Sequence, residues 1–97
     1  MNVPELIREK LSSLAPESIS IEDESAQHVG HAGAAGGGGH YRVVIVARRF
    51  AGQPLQARHR MIYDALGPLM RREIHALTIR AYAPDEASRH SQDEESR

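Results

Sequence analysis

The chain has 97 residues, 40% of them hydrophobic and 26% charged, with a formal net charge of −1. That length suits one domain with a single modest core, and with no Trp and one Phe the core must be aliphatic. The absence of cysteine excludes disulfides, thiolate metal sites and a cysteine nucleophile. No apolar stretch is long enough to span a bilayer, and the N-terminus lacks the basic-then-apolar layout of a signal peptide, so a cytoplasmic protein without membrane attachment is expected.

The charge is unevenly spread. Glu17, Glu22, Asp23 and Glu24 form one acidic cluster, and residues 85–97 carry five acids against two arginines. Between them, residues 48–72 hold six arginines against Asp64 alone. Such a run is most often a solvated helix face, and less often a nucleic-acid footprint.

In chain order, Pro4 pre-sets a helical start, and Leu6, Ile7, Leu11 and Leu14 recur at helical spacing up to Pro16. SISIED (18–23) alternates and predicts a short strand with one buried face. HVGHAGAAGGGGH (28–40) follows, a glycine-rich stretch with three of the six histidines, expected as part of a flexible loop over 22–40. YRVVIVA (41–47) is apolar on both parities, which predicts a central strand covered on both faces. Phe50, Gly52 and Pro54 mark the turn out of it.

Leu55, His59, Ile62 and Leu66 then form one helical stripe, with Arg58 and Arg60 facing outward and Arg60 paired with Asp64. His59 is expected to pack against the core and to bond a backbone group. Gly67-Pro68 stops this helix, and a short one is predicted over about 68–73. HALTIRAY (75–82) alternates, with Leu77, Ile79 and Ala81 on one side. Pro84-Asp85-Glu86 opens a last helical turn, and residues 87–97 read as a disordered acidic tail. The order is α-β-β-α-α-β, an α+β domain over residues 1–86 with helices on one sheet face.

Few residues carry recognisable chemistry. Nothing places a nucleophile beside a base, and GGGGHY lacks the Lys of a phosphate-binding loop, so no enzyme is expected. His28 and His31 form an isolated H-x-x-H, which with His40 and water could make a zinc site. The strings GHAG and GAAG fall in the strand-to-strand loop, and the helix junction reads ALGPLM, so no nucleic-acid-clamping G-x-x-G joins two helices.

DES (23–25), RFAGQPLQARHRMIY (49–63) and IHAL (74–77), in this order and spacing, resemble the BolA family. The resemblance runs from about residue 5 to residue 86. It implies a class II KH-like fold, α-β-β-α-α-β with a three-stranded mixed sheet covered by helices. Members of that family partner monothiol glutaredoxins and share a bridging [2Fe-2S] cluster with them and with glutathione. Some are described as DNA-binding transcriptional regulators. The resemblance therefore implies a monomer that forms a heterodimer with glutaredoxin. His75, at the start of the last strand, would be one cluster ligand. His28, a few residues after DES, would be the second, with His31 and His40 as alternates, because the family's loop cysteine is absent here. The alternative function, DNA binding, would use Arg49, Arg58, Arg60, Arg71 and Arg72.

Overall fold

Asn2 caps the first helix, α1 (Val3–Leu11), its side chain accepting a hydrogen bond from the Glu5 N–H at 2.9 Å. Glu5 in the first turn and Arg8 and Lys10 in the last complement the helix dipole. Ile7 and Leu11 point inward, and a 3-10 turn (Ser12–Leu14) adds Leu14 to the core before Ala15 turns left-handed at φ 51°. The structure, a computed structural model, describes residues 2–25 and 39–88.

Three strands follow the predicted segments. β1 (Ser18–Asp23) pairs antiparallel with β2 (Gly39–Val46), which pairs parallel with β3 (Ile74–Tyr82). The sheet is mixed, in the order β1-β2-β3, with β2 central. A second helix, α2 (Leu55–Leu66), and a 3-10 turn (Gly67–Arg71) lie between β2 and β3. Gly67 ends α2 at φ 55°, a conformation that favours glycine. Residues 84–88 form the final helical turn. The element order is the predicted α-β-β-α-α-β, with the second short helix realised as a 3-10 turn.

One core fills the space between sheet and helices. Ile7 and Leu11 of α1, Val43 and Ile45 of β2, Phe50, and Ile62 and Leu66 of α2 are fully buried. Ile19, Ile21, Leu77 and Ile79 from the flanking strands pack against it. It is aliphatic around one aromatic ring, as composition required.

Several expectations need correction. β2 is central, but only its odd-numbered side chains are buried; His40, Arg42, Val44 and Val46 are half-buried. Helices cover one face; on the other, Val44 and Val46 lie beside their β3 neighbours Arg80 and Tyr82. The inner row of α2 is Arg58, Ile62 and Leu66, a run of steps of four, and not the stripe through Leu55 and His59. Leu55 is 66% exposed. His59 is half-buried, with no ring hydrogen bond to the backbone among the described residues. Arg60 and Asp64 form no ion pair among the described residues, as exposed pairs gain little over solvation.

The loop is also shorter at both ends than 22–40. Glu22 and Asp23 belong to β1, and Gly39 and His40 to β2, because strand pairing extends that far. Residues 26–38, with His28 and His31, lie outside the described residues, as does the predicted tail from residue 89. Residues 87 and 88 continue the last helical turn instead of beginning the tail.

Candidate functional site

The DES segment closes the base of the loop. The Ser25 N–H donates to Asp23 Oδ1 at 2.9 Å, a short side-chain turn typical of aspartate. Across the gap, the His40 N–H donates to Ser25 Oγ at 3.1 Å, and the Glu24 N–H donates to the His40 carbonyl at 2.7 Å. The first bond folds residues 23–25 on themselves, and the other two tie them to the point where the chain re-enters the sheet. The Ser25 hydroxyl, and then its N–H, hold the Asp23 carboxylate below its ordinary pKa. A lowered carboxylate contributes above its unfolded pKa and is lost in acid, so this clamp is fully formed at neutral pH.

Gly39 lies under the Tyr41 ring. A Cβ there would stand 2.5 Å from Tyr41 Cε2, which leaves no room for any other residue while that ring stays buried. Burial and the Asp23 charge both raise the Tyr41 pKa, so the phenol stays protonated. The Gly39 N–H donates to the Glu73 carbonyl at 3.0 Å and starts the parallel ladder with β3.

That ladder carries an irregularity with a chemical consequence. Gly39 is opposite Ile74, but His40 is opposite Ala76, so His75 is an extra residue with no partner on β2. Strict alternation back from Ala81, Ile79 and Leu77 would turn His75 toward the helices. The bulge reverses this: Ile74 is 3% exposed, and His75 faces solvent. Bulges commonly re-aim a side chain at functional positions. Here the His75 ring lies beside that of His40, with centroids 5.2 Å apart and planes tilted by 39°.

This separation suits two imidazoles facing one metal ion, because each metal–nitrogen bond is about 2 Å. Among the described residues no third histidine, cysteine or carboxylate joins them in a metal-binding group. Two imidazoles are too few donors to complete a four-coordinate metal centre by themselves.

The arginines are not one patch. Arg49, Arg60, Arg71 and Arg72 are exposed. Arg58 is 6% exposed, which contradicts its assignment to an outward face and to a nucleic-acid footprint. Its Nε donates to the Gln53 carbonyl at 2.8 Å, and its Nη1 to the Ala81 carbonyl at 3.0 Å. Nη1 and Nη2 also grip the Glu86 carboxylate at 2.6 and 3.0 Å. Glu86 accepts the Ala83 N–H as well, at 2.9 Å, capping the helical turn it belongs to. The hydrogen bonds to Glu86 raise the Arg58 pKa further, against the opposing effect of burial. A buried guanidinium remains only when its donors are satisfied, and these are. Sequence reasoning missed the pair. Two signals were present: Arg58 is one step of four before Ile62, and Glu86 stands two residues after Pro84.

A family model described as BolA-like protein matches residues 11–86. The chain belongs to the BolA-like family. SufE-like protein 1, chloroplastic/mitochondrial, of Arabidopsis thaliana is 43% identical over 86 residues, covering 82% of this chain and 23% of that protein. This BolA-like chain thus spans under a quarter of that relative's length. The DNA-binding transcriptional regulator BolA of Escherichia coli (strain K12) is 37% identical over 83 residues, covering 84% of this chain and 76% of the regulator. Among solved structures, BolA1 from Arabidopsis thaliana superposes with a TM-score of 0.75 at 40% identity, covering 89% of this chain and 96% of that one. The α+β fold with a three-stranded mixed sheet is that of BolA structures. In this BolA-like chain the motif residues Phe50, Arg58 and Ile62 build the fold, whereas His75 faces outward. No helix among the described residues is long and apolar enough to cross a membrane.

Proposed function

We propose that this BolA-like chain is a non-enzymatic adaptor. It binds a monothiol glutaredoxin and contributes imidazole ligands to a [2Fe-2S] cluster carried between them, in cluster trafficking or iron regulation. The observation that carries this reading is the bulge that brings an exposed His75 beside His40, with ring centroids 5.2 Å apart. Iron–sulfur clusters take four protein ligands, and a pair of imidazoles is an established replacement for two thiolates on one iron. The chain has no cysteine to complete the set. The missing sulfur therefore comes from the partner: the glutaredoxin cysteine and glutathione. On this reading the chain is a cytoplasmic monomer alone and one half of a heterodimer when loaded.

The test is to mix the untagged chain with a monothiol glutaredoxin carrying its cluster and glutathione. Visible absorption and circular dichroism are recorded, and the mixture is run on a sizing column. A heterodimer with a spectrum distinct from that of the glutaredoxin homodimer is expected, because imidazole in place of thiolate alters charge transfer and raises the reduction potential. An unchanged spectrum without co-elution overturns the reading.

A second reading is DNA binding, favoured by the regulator to which the chain is 37% identical and by the exposure of Arg49, Arg60, Arg71 and Arg72. Phosphate contacts make affinity fall steeply with salt, each losing about 0.9 in the slope of log K against log salt. Arg60→Ala and Arg71→Ala should each flatten that slope by about one contact. Binding that keeps its salt slope in both variants rules these arginines out as the footprint.

A further inference from the structure

The sheet face turned away from the helices carries two cations without counter-ions. Ser20 and Glu22 of β1, Arg42 and Val44 of β2, and Thr78 and Arg80 of β3 share that face. Register sets Arg42 opposite Thr78 and Val44 opposite Arg80. The two arginines are therefore one strand apart and two residues along, a backbone separation of roughly 8 Å. Among the described residues neither guanidinium has a hydrogen bond or an ion pair, whereas Arg58 meets Glu86 and Arg48 meets Glu17. Glu22 is opposite Arg42 and still forms no ion pair with it among the described residues.

The chain supplies matching acids from close by. Residues 93–95 read DEE. In an extended chain alternate side chains share one side at a repeat of roughly 7 Å, so Asp93 and Glu95 match the spacing of Arg42 and Arg80. The bonds from Arg58 to Glu86 fix the helical turn 84–88 against the fold, so the chain leaves Ser88 from a defined place near the end of β3. Asp93 stands five residues beyond Ser88, a reach of up to roughly 17 Å. Arg80 is only two residues, roughly 7 Å, back along β3 from its last residue, Tyr82. Arg71 and Arg72 stand before the other end of β3, at Ile74. A tether this short holds the acids at an effective concentration on the order of millimolar, at which weak surface ion pairs suffice for docking.

We propose that the acidic segment 93–95 docks in cis on the open sheet face, with its carboxylates against Arg42 and Arg80. The proposal goes beyond the adaptor reading and does not depend on it. The tail is then an internal occupant of the face, held by charge and released by salt.

The test uses the full chain with a nitroxide attached through Ser96→Cys, a unique label because the sequence has no cysteine. Amide intensities are compared by NMR with the label oxidised and reduced. Amides of residues 81–88 lie beside the tether and lose intensity in any case, so those of Arg42 and Thr78 decide. Both should lose most of their intensity, while those of Arg60 and Arg71 keep theirs. At about 0.5 M sodium chloride, where the screening length is about 4 Å, the loss should disappear. Arg42→Gln/Arg80→Gln should abolish it as well. Asp93→Asn/Glu94→Gln/Glu95→Gln should do the same, and that variant leaves every residue of the folded domain untouched.

Loss confined to residues 81–88 overturns the docking. Loss centred on Arg49, Arg60 or Arg71 moves the acids to another surface and overturns the site. Loss that persists in the tail variant overturns the charge pairing. Equal loss in an isotope-labelled chain without nitroxide, mixed with a nitroxide-bearing chain without isotope, shows contact between copies and overturns docking in cis.

Discussion

Arg58→Ala is expected to lower the unfolding free energy by about 2–4 kcal/mol, one of the largest effects of any single substitution in this chain. The guanidinium is 6% exposed and joins three separate pieces of backbone: the turn at Gln53, the end of β3 at Ala81, and the final helical turn through Glu86. Alanine leaves two carbonyls without this donor and opens space beneath α2. Charge-assisted hydrogen bonds of this kind contribute roughly 1.5–3 kcal/mol each when buried. The sum is held down because the Glu86 side chain is 34% exposed and can be rehydrated once its partner is gone.

For a domain of this size the corresponding fall in Tm is about 10–20 °C. Arg58→Lys should recover little, since a lysine ammonium cannot serve two carbonyls and both carboxylate oxygens from one plane. Arg60→Ala, on the exposed side of the same helix, should change stability by no more than about 0.5 kcal/mol. Urea unfolding followed by circular dichroism compares the three. Equal stability of Arg58→Ala and Arg60→Ala would show that the buried pair contributes nothing net. The same result bears on nucleic acid: any loss of DNA binding in Arg58→Ala reports unfolding and not a lost phosphate contact.

The second large effect is functional and should leave the fold intact. His75→Ala is expected to abolish the distinctive spectrum of the glutaredoxin mixture while shifting unfolding free energy by less than about 0.5 kcal/mol. The bulge makes this separation possible, because His75 faces solvent and packs into no part of the core. Removal of His28, His31 and His40 together should match the loss at His75. A His75→Ala variant that keeps the full spectrum would show that the cluster, if bound, is held by other residues. Unfolding in the same variant would instead assign His75 a structural role.

Much of the fold was legible because it is local. Ile19 and Ile21 alternate within one strand, the run 41–47 has the continuous apolar character of a central strand, and Gly67-Pro68 interrupts a helical period. Each signal is complete within a few residues, so periodicity placed the elements correctly, although the second face of 41–47 is not covered as its apolar run implied. The family resemblance was equally visible, since its motifs are contiguous strings. The errors arose where the deciding partner was distant. Arg58 looked solvent-facing because nothing near it in sequence satisfies a buried guanidinium; Ala81 and Glu86, more than twenty residues away, do so. Once those acceptors are present the helix turns Arg58 inward, and Leu55 is left exposed.

The site divides along the same line. Sequence alone identified the histidines, excluded cysteine as a ligand and placed His75 at the entrance of the last strand. It could not say which way that ring faces. Parity within β3 puts His75 on the side of Leu77, toward the helices, and only the register against β2 shows that one residue is extra. The extra residue lets Ile74 and Leu77 both reach the core while His75 turns out beside His40. Register is a property of two strands that are distant in the chain, chosen by the packing of Ile74 and of Gly39 beneath Tyr41. Composition and spacing therefore determined which side chains were available for chemistry, and tertiary packing decided which of them meet.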